Sequence, residues 1–132
     1  MEIIETNFKY KSMDTRKKTD MLVLHHAACI TCTPEQIHQW HLGRGWSGAG
    51  YHFLVMKDGR IYRLRPEDKV GAHAYGANAT SIGICAEGNF ETDIMGNAQK
   101  NSIIELVNYL KNKYGITKVI RHKDVGATAC PR

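Results

Sequence analysis

The chain has 132 residues, enough for one domain around a single core. Its composition, 42% hydrophobic and 23% charged, is that of an ordinary globular chain, and no apolar run reaches membrane-spanning length, so membrane insertion is not expected. The net charge of +5 suits an anionic partner such as a cell-wall polymer, but the positive side chains are scattered; the densest cluster, Arg16-Lys17-Lys18, reads as a solvated turn, and no nucleic-acid partner is expected.

The opening MEIIETNFKYKS lacks the basic-then-apolar pattern of a signal peptide, which predicts synthesis in the cytoplasm. A target outside the membrane would then be reached only after something else opens the way. Cysteines at 29, 32, 85 and 130 are too few for a disulfide scaffold and are expected as free thiols.

Residues 1–19 are polar and irregular, with a short edge strand at Ile3-Ile4; they are expected as an N-terminal arm packed on a domain formed by 20–132. Met21 to His25 is a continuous apolar run, the pattern of a buried strand. Thr33-Pro34-Glu35 starts a helix: Thr caps, Pro takes the first turn, and Glu favours the positive end. That helix carries Ile37, Trp40 and His41 on its inner side and stops near Gly43 or Gly45. A hairpin follows, Tyr51–Met56 and Arg60–Leu64, turning at Asp58-Gly59. Residues 66–80 form a long Gly- and Ala-rich loop holding His73, of a length usually reserved for function. Ser81 to Ala86 is a strand. Asn97 to Tyr114 is the main helix, with Ile103, Val107, Leu110 and Tyr114 as its apolar stripe and Gly115 ending it; Ser102 and Glu105 offer an alternative start as a capping box. Lys118-Val119-Ile120 is the last strand. Strands interleaved with two helices give an α/β fold, a mixed central sheet of about five strands flanked by helices in a single domain.

The chemistry gathers in KVIRHKDVGATACPR at 118–132. His122 follows a strand directly, and Cys130 follows after a small-residue loop, stiffened by Pro131. His25 ends the first apolar strand. Two His and one Cys at strand ends can hold one zinc ion while leaving its fourth position open to water, the layout of a catalytic site. Taken singly, each has a plainer reading: a hydrogen-bonded core histidine, or a buried thiol. A rival set, Cys29-x2-Cys32 with His38-x2-His41, has structural-zinc residue types, but five residues separate the second Cys from the first His, where zinc fingers have about 12. The CxxC lacks the strand-to-helix setting of a redox motif. A nucleophilic Cys130 lacks an evident partner to orient a histidine beside it.

Five blocks carry a family resemblance: LVLHHAA at 22–28, QWHLGRGWSGAGYHFLVMKDGRIY at 39–62, GAHA at 71–74, NATSIGI at 78–84 and RHKDVGATACP at 121–131. In this order and spacing the chain resembles the zinc-dependent N-acetylmuramoyl-L-alanine amidases of phage lysozymes and peptidoglycan recognition proteins. The resemblance implies zinc ligands at His25, His122 and Cys130, one ion per chain. It implies a catalytic tyrosine at Tyr51, which without it would be read as a core residue, and a second catalytic position at Thr128, occupied in some phage members by lysine. His73 and Asn78 resemble positions lining the peptide groove; His26 and His52 are expected as structural neighbours.

The resemblance further implies a monomeric hydrolase of bacterial peptidoglycan that cuts between N-acetylmuramic acid and L-alanine, of the phage endolysin kind. The alternative is a recognition module that binds the same polymer without cutting it. Arg132 follows the Cys-Pro step where family members generally continue, so a longer protein with a wall-binding module is an open expectation.

Overall fold

The uninterrupted apolar run from Met21 forms an interior strand, buried on both faces. In the computed structural model, which describes residues 1–90 and 92–121, the elements in chain order are β1 (Ile3–Glu5), β2 (Met21–His26), α1 (Pro34–Gly43), β3 (Phe53–Val55), β4 (Ile61–Arg63), a 3-10 turn (Asn78–Thr80), β5 (Ser81–Ala86), α2 (Asn97–Tyr114) and β6 (Lys118–Arg121). The sheet has six strands in the order β1-β4-β3-β5-β2-β6. β2 pairs in parallel with β5 from Met21↔Ser81 to His26↔Ala86, and with β6 from Met21↔Lys118 to Leu24↔Arg121. β3 is parallel to β5 and antiparallel to β4, so the sheet is mixed.

The sixth strand is the short segment at the N-terminus. β1 lies parallel to β4, Ile3 opposite Ile61, and Thr6 donates to the Arg63 carbonyl at 2.8 Å just beyond it. It is the short edge strand expected at Ile3-Ile4, three residues long, and it brings the sheet to six strands where about five are expected.

Alternation along the strands splits the core between two faces. On one, Leu22, Ile82, Ile84, Phe53 and Val55 pack with Leu106 and Leu110 of α2. On the other, Leu54 and Cys85 pack with Ile37 of α1 and with Cys32, Met56 and Leu64. Leu106, fully buried, belongs to the helix stripe beside Leu110, while Ile103, Val107 and Tyr114 are half-buried at its margins.

The helix ends follow local chemistry. Thr33 accepts from the Gln36 N–H at 3.2 Å, and the Gln36 side chain accepts from the Thr33 N–H at 3.0 Å, closing a capping box. α2 starts at Asn97; Ser102 is no cap, because its hydroxyl donates to the Gly59 carbonyl in the hairpin turn at 2.7 Å. Gly115 ends α2 in the left-handed conformation, φ +65°, as glycine does without a Cβ penalty. Trp40 departs from expectation: it is 44% exposed, while His38 and His41 are buried. The helix is rotated because Ala49 and Gly50 donate their N–H groups to these two imidazoles, turning Trp40 outward.

The C-terminal turn of α2 is tied to β4 through the buried carboxylate of Glu67, which accepts from Arg63 at 2.6 Å, Lys113 at 2.7 Å and the Tyr114 hydroxyl. Burial pushes this carboxyl up, but the hydrogen bonds from Lys113, Tyr114 and Arg63 outweigh it and hold the pKa below the usual value. No helix among the described residues is long and apolar enough to cross a membrane.

Because Leu106 fills the α2 face of the core, Leu106→Ala should destabilise the fold by about 2–5 kcal/mol. Trp40→Ala should change it by less than about 0.5 kcal/mol, as an exposed substitution does. Urea unfolding checks both; equal losses would mean that the helix faces are assigned wrongly.

Candidate active site

His25 stands at the C-terminal end of β2, 2% exposed, on the sheet face that also carries Ser81, Gly83 and Cys85 of β5. Four further aromatic rings continue from it. His25 lies 5.0 Å from the Tyr51 ring and 5.0 Å from His73; Tyr51 lies 5.3 Å from His41, and His41 lies 4.5 Å from Trp46. The rings come from separate stretches: β2, the helix α1, the irregular segment before β3, and the loop before β5. Beyond that series, Ala27, Ile37, Trp40 and Arg44 join His41 and Tyr51 around a small depression. His73, Asn78, Ala72, Ala74, Tyr75 and Trp46 line a wider one of about 350 Å³.

Tyr51 lies just before β3, where its carbonyl accepts from the Arg65 N–H at 3.1 Å and the next N–H, of His52, donates to the Gly83 carbonyl at 3.0 Å; side chains brace the same segment. Gly50 donates to His41 Nδ1 at 2.7 Å and accepts from the Ala72 N–H at 3.1 Å. A Cβ at Gly50 would sit 2.1 Å from the Ala72 carbonyl oxygen, so only glycine permits this approach. On the other side of Tyr51, His52 is fully buried: its Nδ1 accepts from Gly83 N–H at 3.0 Å and its Nε2–H donates to the Lys69 carbonyl at 2.7 Å. Asn78 organises the loop opposite, its Oδ1 accepting from both His73 and Ala74 N–H at 2.8 Å.

These imidazoles are held neutral. Burial first, then the charges of Arg44 and Arg65, pushes the His41 pKa down to about 4. Burial, then the Arg16 and Arg65 charges, pushes His52 down to about 3. His26 Nδ1 likewise accepts from the Phe90 N–H at 3.0 Å, which makes it, like His52, a structural neighbour.

The rival metal set does not assemble. His38 spends Nδ1 on Ala49 N–H at 3.0 Å and Nε2 on the Lys9 carbonyl at 3.1 Å, so neither nitrogen faces a cysteine. Cys32 is buried, and burial together with the Glu87 charge pushes its thiol up to about 12, the wrong direction for a redox or ligating thiolate.

Of the residues expected at the site, the structure brings His25, Tyr51, His73 and Asn78 to one side of the sheet. His122, Thr128 and Cys130 lie outside the described residues. Among the described residues no three His, Cys, Asp or Glu groups come together to hold a metal ion. His25 itself fits a ligand: it is a buried imidazole whose Nε2 is tied to His73 Nδ1 at 2.9 Å, the way a metal-binding histidine is oriented through its other nitrogen.

Residues 15–132 match the family model for N-acetylmuramoyl-L-alanine amidases. The chain belongs to this family. Among its amidase-family relatives, the endolysin of Klebsiella phage KP32 is 34% identical over 125 residues, covering 88% of this chain and 82% of that protein. The solved structure of the N-acetylmuramoyl-L-alanine amidase LysC from Clostridium intestinale superposes with a TM-score of 0.97 at 46% identity, covering 99% of this chain and 89% of that one. Peptidoglycan-recognition protein SC2 of Drosophila melanogaster is 34% identical over 122 residues, 83% of this chain and 66% of that protein. The α/β architecture expected from the sequence is that of the amidase family.

Sequence reasoning passed over His41 as a site residue, weighing it only as part of the rival metal set. Its signal was present in the spacing QWHLGRGWSGAGYHF, which puts His41 and Tyr51 in one block, but only the fold shows that the imidazole buttresses the tyrosine.

The lowered His41 and His52 pKa values set a pH dependence. Between the unfolded value near 6.5 and the folded values near 4 and 3, the unfolded chain binds more protons. This stability is complete above about pH 6.5 and is lost as pH falls, on the order of 1 kcal/mol per pH unit per histidine. Denaturant unfolding of the metal-free protein from pH 7 to 5, above most carboxylate titration, should show the decline; a flat profile would contradict it.

Proposed function

We propose that the chain hydrolyses the amide bond between N-acetylmuramic acid and L-alanine in bacterial peptidoglycan, acting as an endolysin, with His25, His122 and Cys130 as zinc ligands. The activity class follows from family membership over residues 15–132. The observation that best supports this ligand set is the β2–β6 register, which runs to Leu24↔Arg121; in the sequence, His25 directly follows Leu24 and His122 directly follows Arg121. One zinc ion per chain would supply Lewis-acid polarisation of the scissile carbonyl and a water acidic enough to serve as nucleophile near neutral pH.

The chain's own groups do the rest. Tyr51, held beside His25, donates its hydroxyl proton as a hydrogen bond to the carbonyl oxygen as negative charge develops there, or passes on the proton of the attacking water. Thr128 offers a second hydroxyl, able to hydrogen-bond but not to add the charge that a lysine would. The depression lined by His73, Asn78, Trp46 and Tyr75 takes the stem peptide, with His73 as a wall and not as a hydrogen-bonding hand. The enzyme acts as a monomer on the wall and not on nucleic acid; it is made in the cytoplasm and reaches the wall once the membrane is permeabilised. Likeness to a peptidoglycan-recognition protein makes binding without cleavage the alternative.

Muropeptide analysis of digested walls separates the two. New L-alanine amino termini without new reducing sugars, lost with chelator and restored by zinc, are expected; tight wall binding with no cleavage would favour recognition. Cys130→Ser should lose both zinc and wall hydrolysis while its circular dichroism stays unchanged. Tyr51→Phe should keep zinc and lose roughly 10²-fold or more in kcat; unchanged turnover would return Tyr51 to a packing role.

A further inference from the structure

His73 is set into the sheet, not laid over it. A Cβ at Gly83 would lie 2.6 Å from His73 Cγ, and one at Gly71 would lie 2.5 Å from His73 Cδ2, so the ring occupies space that two missing side chains leave. Ser81 and Gly83 alternate onto the same face of β5, and Cys85, next in that series, pairs with His25. The His73 ring therefore spans from Ser81 to His25 across Gly83, with its backbone N–H fixed by Asn78 at 2.8 Å.

The protons along this line can be assigned. Ser81 has one hydroxyl proton, and the Ala77 carbonyl 2.6 Å from Oγ can only accept, so that proton is directed there. His73 Nε2, 3.3 Å from the same oxygen, is then the donor. A neutral imidazole donates from one nitrogen and accepts at the other. His73 Nδ1 is therefore an acceptor. The proton of the 2.9 Å contact belongs to His25 Nε2, and the lone pair of His25 belongs to Nδ1.

We propose that Ser81 and His73 form a relay that fixes the tautomer of His25, so that His25 meets the metal through Nδ1; His73 is a positioning residue whose polar atoms work inward. The inference rests on the zinc reading of His25. It adds a role for His73 distinct from peptide contact, and it gives Ser81 a function. Outer-sphere partners of this kind set the orientation and basicity of a ligating histidine, and their loss weakens metal binding about 10–100-fold.

Two measurements test it. In the zinc-free protein, long-range ¹⁵N–¹H correlation spectra should show His25 as the Nε2–H tautomer, and Ser81→Ala should admit a Nδ1–H population. Zinc affinity, measured by competition with a chromophoric chelator, should fall about 10–100-fold in His73→Ala. His73→Asn, whose Oδ1 can stand where Nδ1 stood, should recover most of that loss, which a merely structural role would not predict. A Nδ1–H tautomer at His25 in the zinc-free wild type, or a His73→Ala affinity within about twofold of wild type, would overturn the relay while leaving the zinc site standing. A wild-type chain that takes up no zinc would overturn the zinc reading and the relay with it; the spectra of the metal-free protein would then report the tautomer alone.

Discussion

The parallel ladder between β2 and β5 is the constraint on which the rest of the molecule depends. Parallel strands cannot be joined by a tight turn, so the chain must leave His26, build α1 and the β3–β4 hairpin, and return before Ser81. With both faces of the ladder buried, each needs its own cover: α2 on the Leu22, Ile82 and Ile84 side, α1 and the 66–80 loop on the Val23, His25 and Cys85 side. The register also decides which strand positions share a face. A slip of one residue would turn His25 toward α2 and bring His26 to the Tyr51 side. The site's geometry is thus a consequence of the same alternation that builds the core.

Histidine has an unusual part in this protein. Four imidazoles, His26, His38, His41 and His52, each accept a backbone N–H at Nδ1. Three of those bonds hold the stretch from Ala49 to Gly50 or anchor His52 to β5, between the end of α1 and the start of β3. Buried N–H groups must find acceptors, and a neutral imidazole supplies one from a distance that a backbone carbonyl could not reach. The arrangement works only while the rings are uncharged, and burial beside Arg44 and Arg65 keeps His41 so, as burial beside Arg16 and Arg65 keeps His52.

Most elements are legible in the sequence because their signals are local. The Thr33-Pro34 start of α1, the Asp58-Gly59 turn and the strand patterns at 21–25 and 81–86 each depend on neighbours a few residues away. What escapes is non-local. Trp40 looks like a core residue by size and spacing, but helix rotation is set by the contacts of His38 and His41 with a loop nine or more positions along the chain. β1 is legible at Ile3-Ile4 as a short edge strand, but its pairing with β4, 58 positions later, is not. The ligand candidates stand out in the sequence only in combination, whereas His41 and Ser81 acquire meaning only when the fold brings them to Tyr51 and His73.

The two halves of the described site are held by different means, and the difference matters for chemistry. His25 sits on a strand paired on both sides, as rigid a platform as the fold offers. Tyr51 sits just outside β3, its carbonyl accepting from the Arg65 N–H, and is fixed further by Gly50 bound to His41 on one side and by His52 bound to β5 on the other. A hydroxyl that must meet charge developing during the reaction is effective only if it is already in place, since reorganisation at that moment would consume the stabilisation it gives. On the role proposed for Tyr51, the neutral histidines flanking it would contribute to catalysis without touching substrate. They fix the backbone that carries the tyrosine, and they do so without adding charge that would oppose the cation proposed at His25.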